Sequence, residues 1–396
     1  MKDEAVRAAE GWRSVSDFFE GDDNALWKNM YFWEGFDLSS NIYLVKTQEG
    51  VALIDPGNDY SAFYELFASG LCGPVDIRKV LLTHGHHEHV MGVFELLRGY
   101  PTLRSSGHLD IYIHEACPNA FREIAENLGC KVHFIKNNEL ISIGPFTFKA
   151  LHTPGHTMDS MCYFHEETRS LFSGDTVLPF AVASPDPIAG GRIDFQMFSM
   201  RILRQLKPLH LFPGHGEIVR DNASKVLEGN YAGVIKKVIG LQCPWIEGAQ
   251  FLIQKGYLDE TVFCCDKVLE EDPDNKMALY LKASCLNDMG RFEDALGVLK
   301  EIKAKGIFNN PMYYIAYGCA LLGMGKYDES ISYFDKALEL TPGFENALVY
   351  KGLALYLSGR VDEAFDIGEF ERAFMGNFKE QLLKTYGQSQ EKTEQS

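Results

Sequence analysis

The first half of the chain alternates short apolar runs with amphipathic segments. The apolar runs are rich in β-branched and aromatic residues and are bounded by Gly, Pro or polar residues, which is typical of strands. These runs lie at 41–46, 51–54, 80–83, 111–114, 146–151, 161–164, 170–172 and 210–212. Amphipathic periodicity predicts helices at 61–69, 90–98, 117–128 and 199–206. Because strands and helices interleave, this half predicts an α/β sandwich.

The second half of the chain is helical in pattern and repeats itself. Its punctuating glycines, Gly256, Gly290, Gly325 and Gly359, recur at a nearly constant interval. A small residue stands seven positions before each of the last three, where paired helices must approach closely. Over roughly 245–375 the pattern resembles tetratricopeptide repeats, whose period it matches. The resemblance implies an all-α array of stacked helix pairs with a concave groove.

The repeats are expected to bind a protein or peptide partner in that groove, or to shape a substrate channel. A helical bundle without a binding role, such as a dimerisation module, is the alternative interpretation.

The distribution of histidines marks a boundary between the two halves. All twelve histidines lie at or before His215, and none follows it in the rest of the chain. We therefore expect a helical N-terminal extension at 1–29 and an α/β domain at 30–225. The helical repeats are expected at 245–380, and the polar segment at 387–396 is expected to be a disordered tail.

Charge and composition narrow the function classes. The net charge of −17 argues against nucleic-acid binding, which needs surplus Lys and Arg. No apolar run reaches the about 20 residues of a membrane helix, and the charged start has no signal-peptide core. The nine scattered cysteines form no CxxC pair, which favours reduced, buried thiols. These features predict a cytoplasmic protein that does not bind membranes.

The densest chemistry lies at Thr83–Val90, which reads THGHHEHV. Here His84, His86, Glu88 and His89 crowd nitrogen and oxygen donors onto the turn that follows a predicted strand. Such packing is costly unless a cation lies among the donors. Imidazole and carboxylate are ligands that divalent metals prefer, so the motif predicts a metal centre.

Four further strand-end turns each carry one metal-binding side chain. They are HTPGHT with His156, SGDT with Asp175, FPGHG with His215 and LIDPG with Asp55. Gly and Pro make tight turns of this kind and expose the donor at the edge of a sheet. The pattern therefore favours convergence of distant segments on one site.

With these motifs in order, the segment at 30–220 resembles the metallo-β-lactamase superfamily. The HxHxDH motif of that family matches the segment from His84 to His89. A lone histidine, a bridging aspartate and a final histidine follow in family order at His156, Asp175 and His215. The resemblance implies a four-layer αββα sandwich, and the intervals between these motifs favour the hydrolase branches.

The resemblance also implies two neighbouring divalent metal ions. Their ligands would be His84, His86 and His156 for the first metal and Glu88, His89 and His215 for the second, with Asp175 bridging both. Zinc is the default metal, and iron and manganese are alternatives, since all three accept nitrogen and oxygen ligands. Asp55 matches a family position whose carboxylate orients a ligand imidazole, although a plain turn residue is the alternative there.

Glu88 departs from the family pattern, which has aspartate at this position. Three outcomes are open: direct ligation with a shifted backbone, contact through water, or an enzyme with one tightly bound metal. We expect direct or water-mediated ligation, because Glu88 keeps its place between His86 and His89. A surface acid without a role is the remaining alternative.

The implied reaction is hydrolysis of a small-molecule thioester, lactone or related carboxylic ester, similar to the glyoxalase II and lactonase branches. A metal-bound hydroxide would attack the carbonyl, Asp175 would bridge the metals, and Glu88 would pass a proton to the leaving group. An iron-dependent, dioxygenase-like redox enzyme is one alternative. A repeat-based adaptor with an idle metallohydrolase domain is another. The acidic charge disfavours nuclease action.

The long segment after the bridging aspartate is expected to set substrate specificity. It is punctuated by prolines and a glycine pair, which suits an active-site loop. We expect Phe180, Phe195 and Met197 to form an apolar wall. Asp186 and Arg192 would then orient a polar group of the substrate.

Overall fold

The structure is a computed structural model that describes residues 11–36 and 39–376. The chain divides into two compact units, Met1–Val238 and Ile239–Ser396. The boundary between the units lies between the segments predicted at 30–225 and 245–380. The predicted tail at 387–396 and the last predicted repeat residues lie outside the described residues.

The first unit contains two β-sheets. The seven-stranded sheet has the order β1 (Arg13–Ser14), β2 (Met30–Trp33), β3 (Ile42–Thr47), β4 (Gly50–Ile54), β5 (Ile77–Leu81), β6 (Asp110–His114) and β7 (Lys131–Ile135). The five-stranded sheet contains β8 (Leu140–Ile143), β9 (Phe146–His152), β10 (Met161–His165), β11 (Ser170–Gly174) and β12 (His210–Pro213), in the spatial order β12-β11-β10-β9-β8. Strands β4 to β7 run parallel, as do β11 and β12.

Helices of the first unit connect and cover these sheets. They are α1 (Ala25–Lys28), α2 (Tyr60–Ala68), α3 (His87–Gly99), α4 (Pro101–Ser106), α5 (Asn119–Asn127), α6 (Ile193–Gln205) and α7 (Ala223–Ile239). One apolar core joins the inward faces of α2, α3 and α5 to the seven-stranded sheet. A second core lies between the two sheets, where Leu81, Phe148 and Phe172 meet. Every residue of β10, β11 and β12 is buried, because both faces of these strands are covered.

The segment expected to be a helical extension differs from that expectation where it is described. Residues 13–14 pair with β2 as a strand, and α1 is a single turn. The rings of Phe19 and Trp27 stack at 4.2 Å, and both lie in the core between the sheets. Burial of these large aromatic side chains draws the segment into the sandwich. Residues 1–10 lie outside the described part of the chain.

The second unit is helical. Its helices are α8 (Trp245–Gln254), α9 (Leu258–Glu271), α10 (Lys276–Asp288), α11 (Phe292–Ala304), α12 (Pro311–Gly323), α13 (Tyr327–Leu340), α14 (Glu345–Leu357) and α15 (Val361–Phe365). Gly290 follows α10 at φ +72°, a left-handed conformation that ends a helix and favours glycine. A Cβ at Gly318 would lie 2.5 Å from the Phe334 ring, so α12 and α13 pack closely at this point. The predicted α/β sandwich followed by an all-helical repeat region is confirmed.

No helix in the described ranges 11–36 and 39–376 combines the length and the apolar character that crossing a membrane requires.

Candidate metal centre

Parallel strand pairing brings the distant donor segments to one edge of the sandwich. Ile54 of β4 pairs with Leu81 of β5, so the turns that carry Asp55 and His84 lie side by side. Phe172 of β11 pairs with Phe212 of β12, so the turns that carry Asp175 and His215 also lie side by side. Carboxyl ends of neighbouring parallel strands meet at one edge, and this edge holds the candidate ligands.

The first cluster consists of His84, His86 and His156, whose ligand atoms all lie within 4.8 Å of one another. His86 Nδ1 lies 3.0 Å from His84 Nε2 and 3.1 Å from His156 Nε2. Burial lowers the pKa of both His84 and His156, which favours neutral imidazoles. Three imidazole nitrogens therefore face one another at close range.

The outer nitrogens of these three rings are already engaged. His156 Nδ1 donates to the Ser184 carbonyl at 2.8 Å, and His86 Nε2 donates to the Asp186 carboxylate at 3.0 Å. His84 Nδ1 lies 3.1 Å from the Thr83 hydroxyl, which itself donates to a carboxylate. Since each outer nitrogen uses the ring's N–H, all three inner nitrogens carry lone pairs. Lone pairs that converge at such short range repel each other unless a cation lies between them.

The second cluster consists of Glu88, His89, Asp175 and His215, again with ligand atoms within 4.8 Å of one another. Asp175 Oδ1 lies 3.4 Å from His89 Nε2 and 3.6 Å from His215 Nε2. His89 Nε2 and Asp175 Oδ1 are buried, and neither has a hydrogen-bond partner among the described residues. Buried polar atoms normally have hydrogen-bond partners, so this nitrogen and this oxygen are suited to binding a cation.

Asp175 lies between the two clusters. Its Oδ2 is 3.8 Å from His156 Nε2 of the first cluster, while its Oδ1 faces the second. Burial raises the pKa of Asp175, but the nearby His89 imidazole outweighs this and holds the pKa below its ordinary value. Burial lowers the pKa of His89, yet Asp55 and Asp175 raise that pKa to about 10. Both shifts mean that the pocket favours positive charge, as a cation site does.

Local backbone geometry places these side chains. His86 is the residue before α3, so Glu88 and His89 project from the first turn of that helix. A Cβ at Gly214 would overlap Asp175 Oδ1 and would lie 2.8 Å from the His89 ring. Gly214 therefore leaves the space in which the two ligands approach each other.

Asp55 orients one of these imidazoles. The buried carboxylate accepts hydrogen bonds from the Thr83 backbone N–H at 2.8 Å, from the Thr83 hydroxyl at 2.6 Å and from His89 Nδ1 at 2.8 Å. The bond to Asp55 keeps a proton on Nδ1, so Nε2 is the nitrogen that His89 presents to the pocket and would offer to a cation. Asp55 also adopts a left-handed φ of +50°, so the residue both makes the turn and orients the imidazole.

Glu88 lies in the second cluster, at the position where the family pattern has aspartate. Its carboxylate is 3.9 Å from His86 Nδ1, and the side chain is about one-third exposed. The Ser40 N–H donates to the Glu88 carbonyl at 3.1 Å and anchors this turn of α3. The longer side chain thus reaches the same pocket and keeps contact with solvent.

Two residues that no sequence motif marks hold the turn that carries His215. The Asn41 amide donates to the carbonyls of Pro213 at 3.0 Å and Gly216 at 2.8 Å, and the Tyr43 hydroxyl donates to Pro213 at 2.7 Å. These bonds fix the turn that carries His215. A lone Asn before an apolar strand carries no local signal of this role, because its partners lie more than 170 positions away.

The segment after Asp175 differs in part from its expected role. Met197 is buried in α6 and so does not line an open wall, whereas Phe180 is largely exposed. Arg192 forms an ion pair with Asp194 at 2.7 Å. The Asp186 carboxylate is bonded to the His86 ring rather than free to meet a substrate.

All of the candidate ligands lie within a segment that matches one family model. Residues 35–215 match the family model described as the metallo-beta-lactamase superfamily. Residues 254–337 match anaphase-promoting complex, cyclosome, subunit 3, and residues 316–373 match a tetratricopeptide repeat model.

Curated relatives match the first half of the chain. An atrochrysone carboxyl ACP thioesterase from Aspergillus fumigatus is 33% identical over 188 residues, which is 47% of this chain and 40% of the relative. The lactamase-like protein ptaB from Pestalotiopsis fici is 28% identical over 47% of this chain and 53% of its own length. The chain therefore spans about half, or less, of the length of these curated relatives.

Among solved structures, a metallo-beta-lactamase family protein from Thermus thermophilus is 20% identical. The match covers 61% of this chain and 94% of that protein, with a TM-score of 0.43. The assignment of this chain to a family rests on the family models and on the order of the sequence motifs. Residues 35–215 belong to a metallo-β-lactamase superfamily domain, and tetratricopeptide-type repeats follow it in the same chain.

Proposed function

We propose that this chain is a metal-dependent hydrolase that acts on thioesters or related carboxylic esters. The observation that carries the proposal is the pair of donor clusters that share Asp175. Each imidazole of the first cluster has its outer nitrogen bonded and its inner lone pair free, an arrangement that suits a bound cation.

The donor set fits two divalent ions. His84, His86 and His156 would hold the first ion, and Glu88, His89 and His215 would hold the second, with Asp175 contacting both. Nitrogen and oxygen ligands suit zinc, which we propose as the metal, with iron and manganese as alternatives. A bound metal pair supplies an ionised water at neutral pH and polarisation of the substrate carbonyl.

The residues of this chain would then set the geometry and handle the proton. The Asp175 carboxylate separates the clusters and keeps the two ligand sets at fixed spacing. Glu88 is partly exposed, so the carboxylate oxygen that does not face the metal would relay a proton from solvent to a leaving thiolate or alkoxide. The curated relatives named thioesterases support a thioester as the first substrate class to test.

The test uses the purified full chain, with metal content measured by plasma mass spectrometry. Hydrolysis of acyl thioesters is followed by thiol release, and a lactone panel is run in parallel. We expect two metal equivalents and thioester turnover. His86→Ala and Asp175→Ala should abolish turnover while the helical circular-dichroism signal stays.

His133→Ala is the matched control. His133 is a half-exposed imidazole that bonds Asp110 at 2.9 Å, away from both clusters, so this variant should keep full activity. Turnover that survives in both His86→Ala and Asp175→Ala would refute the proposed centre. Two bound metals with no turnover on any ester would refute the hydrolase assignment and favour the adaptor.

The partner of the repeats and the cytoplasmic location stay predictions.

A further inference from the structure

We infer that Asp186 is a positioning residue for the first metal site, acting through the ring of His86. The inference rests on the proposed function, because it concerns the same metal centre. Asp186 then supports a ligand imidazole, whereas the sequence predicts that this side chain orients a polar group of the substrate.

One short loop supplies acceptors to two ligands of the first cluster. The Ser184 carbonyl accepts from His156 Nδ1 at 2.8 Å, and the Asp186 carboxylate accepts from His86 Nε2 at 3.0 Å. Ser184 and Asp186 are two positions apart, whereas the two histidines lie 70 positions apart. The loop therefore braces two rings that the chain brings together from distant strands.

Backbone hydrogen bonds hold this loop against the residues around His156. The Asp186 N–H donates to the His156 carbonyl at 2.8 Å, and the Gly191 N–H donates to the Asp186 carbonyl at 2.7 Å. A Cβ at Gly191 would overlap the His156 carbonyl oxygen, so only glycine permits this approach. The Asp186 carboxylate also accepts from the Ile188 N–H at 2.8 Å, which fixes its orientation.

His86 needs this partner more than its neighbours do. His84 is buried, so packing fixes its ring, whereas the His86 side chain is 22% exposed. A carboxylate only accepts hydrogen bonds, so Asp186 keeps the His86 proton on Nε2 and the lone pair on Nδ1. Without it, the ring can turn or move its proton to Nδ1, where the proton would block a cation.

We expect substitution of Asp186 to lower the metal affinity of the first site and to leave the metal affinity of the second site unchanged. Removing the partner of a ligand imidazole typically lowers metal affinity by about 10- to 100-fold. The second cluster has its own orienting carboxylate in Asp55, so its affinity should not move. The loss is therefore confined to one of two bound ions.

The test is a chelator competition titration of the full chain with zinc, repeated with cobalt so that visible absorption reports the ligand environment. Asp186→Ser keeps a short oxygen for the Ile188 N–H but cannot reach the imidazole. Asp186→Asn keeps the side-chain shape and replaces half of the acceptor by a donor. Asp194→Asn is the matched control, because Asp194 lies in the same part of the chain and pairs with Arg192 instead of a candidate ligand.

We expect both Asp186 variants to bind one zinc ion as tightly as the wild type and the other about 10- to 100-fold more weakly, with an altered cobalt spectrum. Excess zinc should restore turnover. Wild-type affinity at both sites in both variants would overturn the inference. A wild-type chain that binds no metal would instead overturn the proposed function, so the two failures are distinguishable.

Discussion

Replacing Asp55 by Asn isolates the hydrogen bond that aims His89 at the metal centre. The wild-type carboxylate accepts three bonds, two from Thr83 at 2.8 and 2.6 Å and one from His89 Nδ1 at 2.8 Å. Asn tolerates the left-handed φ of +50° at this position, so the backbone turn is kept. The amide has a single oxygen, so it cannot serve the Thr83 groups and the imidazole together.

The expected loss of folding free energy follows from the number of hydrogen-bond donors that the substitution leaves without a partner. One buried donor left unpaired costs about 1–3 kcal/mol, so the free energy of unfolding of the metal-free protein should fall by about that amount. If the amide oxygen keeps the bond from the Thr83 backbone N–H, the NH₂ group faces the Thr83 hydroxyl and His89 Nδ1, which share the other carboxylate oxygen in the wild type. His89 then places its own proton on Nε2 and loses the lone pair that faces the pocket. We expect the second metal site, which His89 helps to form, to weaken by about 10- to 100-fold.

Two assays separate these effects. Urea denaturation of the metal-free chain measures the loss of folding free energy, and chelator competition measures the affinity of each metal site. Asp110→Asn is the control, since Asp110 bonds the half-exposed His133 far from the centre and should change stability by no more than about 0.5 kcal/mol. An Asp55→Asn protein that folds and holds both metals at wild-type affinity would refute the reasoning.

Three further predictions concern packing and thiol chemistry. Gly214→Ala should abolish metal binding, because the new methyl group would overlap the Asp175 carboxylate; metal content equal to the wild type would contradict this. Trp27→Ala should lower the free energy of unfolding of the first unit by about 3–5 kcal/mol, measured in urea, since the buried ring stacks inside the core between the sheets. Burial raises the pKa of the Cys162 thiol to about 11, so at about pH 8 it should resist a thiol reagent until the chain is unfolded. Rapid labelling of this residue in the native protein would show that it is exposed.

Local patterns predicted much of the architecture. The regular recurrence of glycines and their left-handed conformation are properties of neighbouring residues, so the repeats could be predicted without coordinates. Apolar runs predicted most strands of both sheets for the same reason. Helix α6 nevertheless begins at Ile193, six positions before the predicted start. Polar residues in its first turn interrupt the helical spacing of apolar residues on which the prediction was based.

The candidate ligands were also predicted from sequence, because each stands on a strand-end turn in a recognisable order. The distances between their side chains could not be predicted in this way. Parallel pairing of β4 with β5 and of β11 with β12 brings the turns together, and register is a property of the whole sheet.

The amino-acid sequence by itself determined the two-part organisation, the repeat period and the identity of the candidate donors, since all of these follow from short-range pattern. Only the tertiary structure decided that the segment around Trp27 joins the core, that Asn41 holds the turn that carries His215 and that Asp186 bonds His86. The physical reason is that these contacts join residues about 100 or more positions apart. Their partners include backbone carbonyls, which every residue carries and no side-chain pattern marks.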